Sequence, residues 1–207
     1  MPVRERKPAL MPLFGNAQFF RSVHGLRDLP PDAGTEIAFT GRSNVGKSSA
    51  INALANRKRL AFVSKTPGRT QAINFFSLGA QRFLVDLPGY GYAIVPALEK
   101  RQWEGLIRTY IESRAALRGL VVIMDARHPF SVLDRQLLEW VAPLRKPAHV
   151  LLTKADKLSK QQAMAALREA QSLARHHPCC GVQLFSAVSG TGVAAAQKII
   201  MQWLKQQ

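Results

Sequence analysis

Short apolar runs recur along this chain, each closed by a polar residue and followed by a stretch with helical spacing. Residues 36–40 (EIAFT), 120–125 (LVVIMD), 149–153 (HVLLT) and 182–186 (VQLFS) have this form. It is the form expected of buried parallel strands that end at the functional edge of a sheet. Helical patterns cover about 47–55, 98–114, 131–141, 159–175 and 192–205, with Met164, Leu167, Ala170 and Leu173 on one face of the fourth. Residues 73–78 (INFFSL) and 82–86 (RFLVD) read as a hairpin turning at Gly79-Ala80. The alternation predicts an α/β fold: a mostly parallel central sheet with one antiparallel strand and helices on both faces. Residues 1–32 precede the first parallel strand and are expected to pack on the domain as an extension, through Phe14, Phe19 and Phe20. Residues 33–207 then form one domain, since no stretch reads as a linker.

Charge and cysteine usage narrow the partners. The 207 residues carry 29 Lys+Arg against 13 Asp+Glu, a net charge of +16. Such an excess favours phosphate-rich partners, although a solvated basic surface would look the same. Arg57, Lys58, Arg59, Lys65 and Arg69 concentrate part of it in one region. Cys179 and Cys180 are adjacent, a spacing that suits neither a disulfide nor a metal site; His176 and His177 beside them do not repair that spacing. The N-terminus is broken by Pro2, Pro8 and Pro12 and has no sustained apolar run, so neither a secretory signal nor a membrane span is expected. A cytoplasmic monomer without membrane contact is the expectation. Trp103, Trp140 and Trp203 sit in helical stretches and read as packing residues.

The chemistry begins at Gly41-Arg42-Ser43-Asn44-Val45-Gly46-Lys47-Ser48, which fits GxxxxGK[ST] with a strand before it and a helix after. Glycines let backbone N–H groups curl around phosphates, and the helix N-terminus adds partial positive charge. Lys47 is placed to reach the β- and γ-phosphates and Ser48 to offer its hydroxyl to Mg2+. This motif implies a nucleoside triphosphate without saying which.

Thr153-Lys154-Ala155-Asp156, at the close of a predicted strand, supplies the base reading. A carboxylate at Asp156 can accept from both the ring N–H and the exocyclic amine of guanine, whereas adenine presents no such pair of donors. The Lys154 stem would lie over the base, and the N–H of Ala187, after Phe185-Ser186, could donate to the guanine oxygen. Asp86-Leu87-Pro88-Gly89 ends another strand; Asp86 is placed to hold Mg2+ through water and Gly89 to approach the γ-phosphate. Between the helix after the GxxxxGKS motif and the hairpin lies Lys65-Thr66-Pro67-Gly68-Arg69-Thr70-Gln71, where a threonine in a mobile loop, Thr70 in preference to Thr66, can close on Mg2+. Asp125 and His128, at another strand end, read as structural.

With these segments in order, the chain resembles the TrmE–Era–EngA group of translational GTPases, and more closely the EngB (YihA/YsxC) family. The strings that carry the resemblance are GRSNVGKSS, TPGRTQ with INFF, DLPGYGYA, MDARHP, TKADKL and FSA, from about Phe14 to the C-terminus. The resemblance implies a Ras-like P-loop GTPase domain that binds GTP and GDP with Mg2+ at Ser48 and Thr70. Nucleotide contacts would then fall on Gly41 to Ser48, Gly68, Arg69, Thr70, Gln71 and Ala72, Asp86 to Gly89, Thr153 to Asp156, and Phe185 to Ala187. It further implies a role in large ribosomal subunit assembly, with large-subunit rRNA in precursor particles as partner, and in cell division and septation. Two residues bear on rate. Tyr90 stands where Ras-type proteins place a water-orienting glutamine, so unaided hydrolysis should be slow. Asn44 resembles the asparagine with which related GTPases hold K+ against the phosphates. Lys47, Asn44, Thr70 and Gly89 are thus the expected catalytic set. A nucleotide-gated RNA- or ribosome-binding module with negligible turnover is the alternative.

Overall fold

The computed structural model describes residues 11–62, 72–90, 97–177 and 180–205, with side chains from 105 onward in the helix that starts at 97. Among these residues seven strands, β1 (Gln18–Val23), β2 (Thr35–Gly41), β3 (Ile73–Gly79), β4 (Arg82–Asp86), β5 (Leu117–Asp125), β6 (Ala148–Thr153) and β7 (Cys180–Leu184), form one sheet. Its order is β1-β3-β4-β2-β5-β6-β7. Strand β3 alone runs against the others, antiparallel to β1 and to β4. The pairings of β2 with β4 and β5, of β5 with β6 and of β6 with β7 are parallel. The single antiparallel strand is thus the first arm of the expected hairpin.

Among the described residues, six α-helices complete the fold: α1 (Pro12–Gly15), α2 (Lys47–Leu54), α3 (Ala97–Ser113), α4 (Val132–Val141), α5 (Lys160–Ala174) and α6 (Val193–Lys205). The period-2 alternation of β5 explains why both sheet faces need cover. Val121 and Ile123 join a cluster with Phe14, Ile51, Leu54, Ile200 and Trp203, from α1, α2 and α6. Leu120, Val122 and Met124 join a second cluster with Tyr110, Leu138 and Ala170, from α3, α4 and α5. Capping boxes start two of these helices, Ser131 with Asp134 on α4 and Ser159 with Gln162 on α5.

Two boundaries differ from the sequence reading. The segment ahead of β2 contributes a short helix and an edge strand to the sheet. Phe14 is fully buried, but Phe19 and Phe20 stay 57% and 46% exposed, resting against Phe76 and Phe83. The register of β1 shifts between Phe19 and Arg21, a bulge that breaks the alternation by which a strand is recognised. At the other edge, β7 pairs from Cys180 opposite Ala148 to Leu184 opposite Leu152. Phe185 and Ser186 therefore lie beyond the strand, buried in the loop that follows.

A buried polar network fastens the start of β2. The Glu36 carboxylate, 0% exposed, accepts from the Tyr110 hydroxyl at 2.6 Å and from Arg114 at 2.5–3.0 Å. Arg114 also donates to the carbonyls of Pro30 and Pro31. Asp32 accepts the backbone N–H groups of Ala115 and Ala116, just past α3. The lead into β2 and the C-terminal end of α3 thus share one clamp, at the opposite end of β2 from the GxxxxGKS loop.

Candidate nucleotide-binding site

Strand β2 delivers the chain into the loop at Gly41, where a Cβ would lie 2.6 Å from the Ile123 carbonyl oxygen of β5. Only glycine lets the two backbones come this close. Asn44 and Gly46 take positive φ, 60° and 100°, and curl the loop back before α2 begins at Lys47. The first N–H groups of α2 lack intrahelical partners and face the loop. The buried Lys47 ammonium contacts the carboxylate of Asp86, itself 3% exposed where β4 ends. Ser48, one residue further, is half-buried.

Leu87, Pro88 and Gly89 are buried as the chain leaves β4 and runs beside the loop. The Tyr90 N–H donates to Gly41 O and its carbonyl accepts from Ser43 N, both at 3.2 Å. The Tyr90 phenol donates to Asp134 Oδ1 at 2.7 Å. Asp134 is the fully buried carboxylate that caps α4, and Arg42 Nε stands 3.8 Å from the same oxygen. Burial, reinforced by the Asp134 charge and hydrogen bond, raises the Tyr90 pKa far above its ordinary value. The phenol is therefore a neutral donor, committed to α4.

The third wall comes from the ends of β5, β6 and β7. Thr153 Oγ1 lies 2.5 Å from Val45 O and 3.0 Å from Met124 O, joining the GxxxxGKS loop to β5 and β6. The backbone of Lys154 is left-handed, φ 59°, and its ammonium donates to Asn44 O and to Asp125 Oδ2, both at 2.9 Å. Burial alone would raise the Asp125 pKa, but hydrogen bonds from Arg127 and Lys154 outweigh it and hold the carboxyl well below the usual range. Asp156 Oδ1 accepts the Ser186 hydroxyl at 2.6 Å, and Ala155 N donates to Phe185 O at 3.2 Å. The carboxylate expected to read a base is thus oriented by the loop after β7.

A GxxxxGKS loop at the end of a parallel strand, a buried Lys–Asp pair and an oriented carboxylate two strands away form a nucleotide-binding edge. The model of a family described as "50S ribosome-binding GTPase" matches residues 36–154. The probable GTP-binding protein EngB of Azoarcus sp. is 58% identical over 196 residues, 94% of each chain. That of Nitrosomonas europaea is 55% identical over 193 residues, 93% of this chain and 87% of the relative. The chain belongs to the EngB family of GTP-binding proteins. Solved structures agree on the fold. A crystal structure of a probable GTP-binding protein engB superposes with a TM-score of 0.65 at 22% identity, over 84% of this chain and 100% of that one. Era, in complex with MgGDPNP and nucleotides 1506–1542 of 16S ribosomal RNA, gives 0.67 at 21% identity, over 84% and 57%. The fold is that of a P-loop GTPase, and as an EngB-family member the chain is a GTPase.

Within this family frame, Gly41 to Ser48, Asp86 to Gly89, Thr153 to Asp156 and Phe185 to Ala187 come together along one edge of the sheet. Ala72 is buried just ahead of β3. Gly68, Arg69, Thr70 and Gln71 lie outside the described residues, as do Lys65, Cys179 and the side chain of Trp103. Trp203 is 8% exposed in the core, and Trp140 Nε1 donates to Glu112. Asp125, read from sequence as structural, supports Lys154 directly. Asp134 escaped the sequence reading, because its bond to Tyr90 joins residues 44 apart in the chain; the Ser-x-x-Asp capping pattern was its only local signal. No helix among the described residues is long and apolar enough to cross a membrane.

Proposed function

We propose that this chain is a GTP-hydrolysing switch whose GTP-bound form docks on precursors of the large ribosomal subunit, through rRNA, and that normal septation depends on it. Residues 33–207 carry the nucleotide, with 1–32 as an extension of the same unit. The observation that carries the nucleotide reading is the Asp156 carboxylate, held by Ser186 and tied through Lys154 to the GxxxxGKS loop. A base-reading group and a phosphate-cradling loop are thereby fixed in one frame. The ribosomal reading draws on the family's description and on the +16 charge.

On binding, the Lys47–Asp86 pair would exchange partners, the ammonium turning to the phosphates and the carboxylate to the hydration shell of Mg2+. A hydroxyl at Ser48 and a buried carboxylate at Asp86 are hard oxygen donors of the kind Mg2+ takes, with Thr70 as the second hydroxyl. Mg2+ held there would neutralise phosphate charge. Lys47 and the unpaired N–H groups at the start of α2 would orient the phosphate oxygens, and Gly89 would leave room for backbone at the γ-phosphate.

Slow turnover is part of the proposal, because the Tyr90 phenol is spent on Asp134 and brings no water-orienting amide. Asn44 is exposed at the tip of the loop, with no side-chain hydrogen bond among the described residues, and is free to recruit K+ beside the phosphates. GTP turnover should be about tenfold or more faster in potassium than in sodium buffer, a barrier difference of about 1.4 kcal/mol. Asn44→Ala should abolish that difference, and equal rates in the two buffers would count against the role.

Cosedimentation with purified large ribosomal subunits in GTP, GDP and nucleotide-free buffer tests the switch. Binding should be strongest with GTP and should weaken steeply with added NaCl at fixed potassium, as phosphate contacts require. Identical binding in all three states would sink it. The commitment of Tyr90 also favours a second reading, a nucleotide-gated binding module. Single-turnover GTP hydrolysis that subunits do not accelerate would select that reading.

A further inference from the structure

We propose that Asp125 is a positioning residue for the base side of the site: it anchors the Lys154 ammonium against the GxxxxGKS loop and so sets how long a guanine nucleotide stays bound. The proposal rests on the reading of Lys154 as the residue whose stem covers the base.

A lysine serves as a flat apolar lid only if its four-carbon stem is extended and its ammonium is held at the far end. Here the second condition traces to particular atoms. The left-handed backbone at Lys154 turns the side chain back toward the loop. The ammonium then meets two acceptors, the Asn44 carbonyl and Asp125 Oδ2. A neutral carbonyl alone is a weak tether, and the carboxylate makes it charge-assisted. The carboxylate is in turn fixed. Its Oδ1 accepts the Arg127 N–H at 3.0 Å and Arg127 Nε at 2.9 Å, while the other guanidinium arm donates to Oδ2 at 2.7 Å. Asp125 is 8% exposed at the side chain, against 46% for Arg127 and 32% for Lys154, so the anion is the shielded member of the trio.

Position along the sheet gives this contact its reach. Asp125 closes β5, Thr153 closes β6, and Asn44 is the tip of the loop after β2. The Ala126 N–H donates to Thr153 O at 2.9 Å, which adds a main-chain tie between the first two. Loosening the Lys154 ammonium therefore frees the lid over the base without disturbing Asp156, which Ser186 holds independently.

The test is a double-mutant cycle on the intact chain, using the dissociation rates of N-methylanthraniloyl-GDP and its GTP counterpart, with thermal unfolding in parallel. Asp125→Asn keeps the shape and removes the charge; Lys154→Met keeps the stem and removes the ammonium. Each single change should speed dissociation about tenfold, the scale of one hydrogen bond to a charged group. The acceleration should be alike for the di- and triphosphate, since the change is on the base side. The double variant should release nucleotide no faster than Lys154→Met alone, because Asp125 acts through that ammonium. Multiplying factors in the double variant, or an Asp125→Asn protein with normal dissociation and a lowered unfolding temperature, would overturn the proposal. Unchanged dissociation in Lys154→Met would overturn the anchor, whereas unchanged dissociation in Lys154→Ala, which lacks the stem, would overturn the lid reading, so the two failures are distinguishable. If Asp125→Asn does not fold, Asp125→Glu enters the same cycle; its extra methylene displaces the ammonium, and Lys154→Met should mask its effect.

Discussion

Single residues in this protein act in pairs far apart in the chain, and the buried phenols show what such pairing costs at high pH. Tyr110 is fully buried and donates to Glu36; burial, then the Glu36 charge and hydrogen bond, push its pKa well above the ordinary value of about 10. A group raised in the folded state stabilises fully below its unfolded value and less as pH climbs past it, because only the unfolded chain then loses the proton. The melting temperature should therefore fall as pH rises above about 10, and Tyr110→Phe should flatten that fall. The same variant should be less stable near neutrality by about 1–2 kcal/mol, since Glu36 loses one donor and keeps Arg114. Melting curves from neutral to alkaline pH decide it, and an unchanged alkaline slope in the variant would show that Tyr110 does not carry the effect. Tyr90, held by Asp134, adds to the wild-type slope in the same sense and remains in the variant.

At the scale of elements, legibility followed burial. Strands β2, β5 and β6 are covered on both faces, so their sequences are continuous apolar runs that stand out without any alignment. Strand β1 is exposed at every residue but Val23 and carries a bulge at Phe20, and neither alternation nor an apolar run survives in QFFRSV. The short helix before it still matters to the fold, because Phe14 lies wholly within the cluster formed by α2, α6 and the sheet. Phe14→Ala should lower the unfolding free energy by about 3–5 kcal/mol, the usual range for emptying a buried aromatic site. Urea titration measures it, and a loss under about 1 kcal/mol would mean the segment contributes little to the folded unit. The GxxxxGKS loop was legible for a different reason. The cradle proposed for it is made of backbone, so the residues that permit its path, such as Gly41 and Gly46, lie close together in sequence. The supports of the site's loops come from other strands and helices, as with Asp125 for Lys154 or Asp134 for Tyr90, and only the folded chain shows which residues meet.

For the molecule as a whole, the sheet separates two ends with different jobs. One end gathers the GxxxxGKS loop, the Asp86 loop and the base-side loops; the other holds the Glu36–Arg114 clamp with Pro30, Pro31 and Asp32. Breaking such a clamp by removing one partner would leave a buried charge uncompensated, a penalty of about 3–5 kcal/mol. Seen mechanically, the clamp is a fulcrum. Helix α3 is 17 residues long and ends next to Arg114, so its far end lies about 25 Å from that fixed point. A tilt of about 10° about the fulcrum carries the first turn of α3 through roughly 4 Å while Arg114 stays in place. A rotation held at that buried ion pair would thus displace the two ends of α3 very unequally, the far end most.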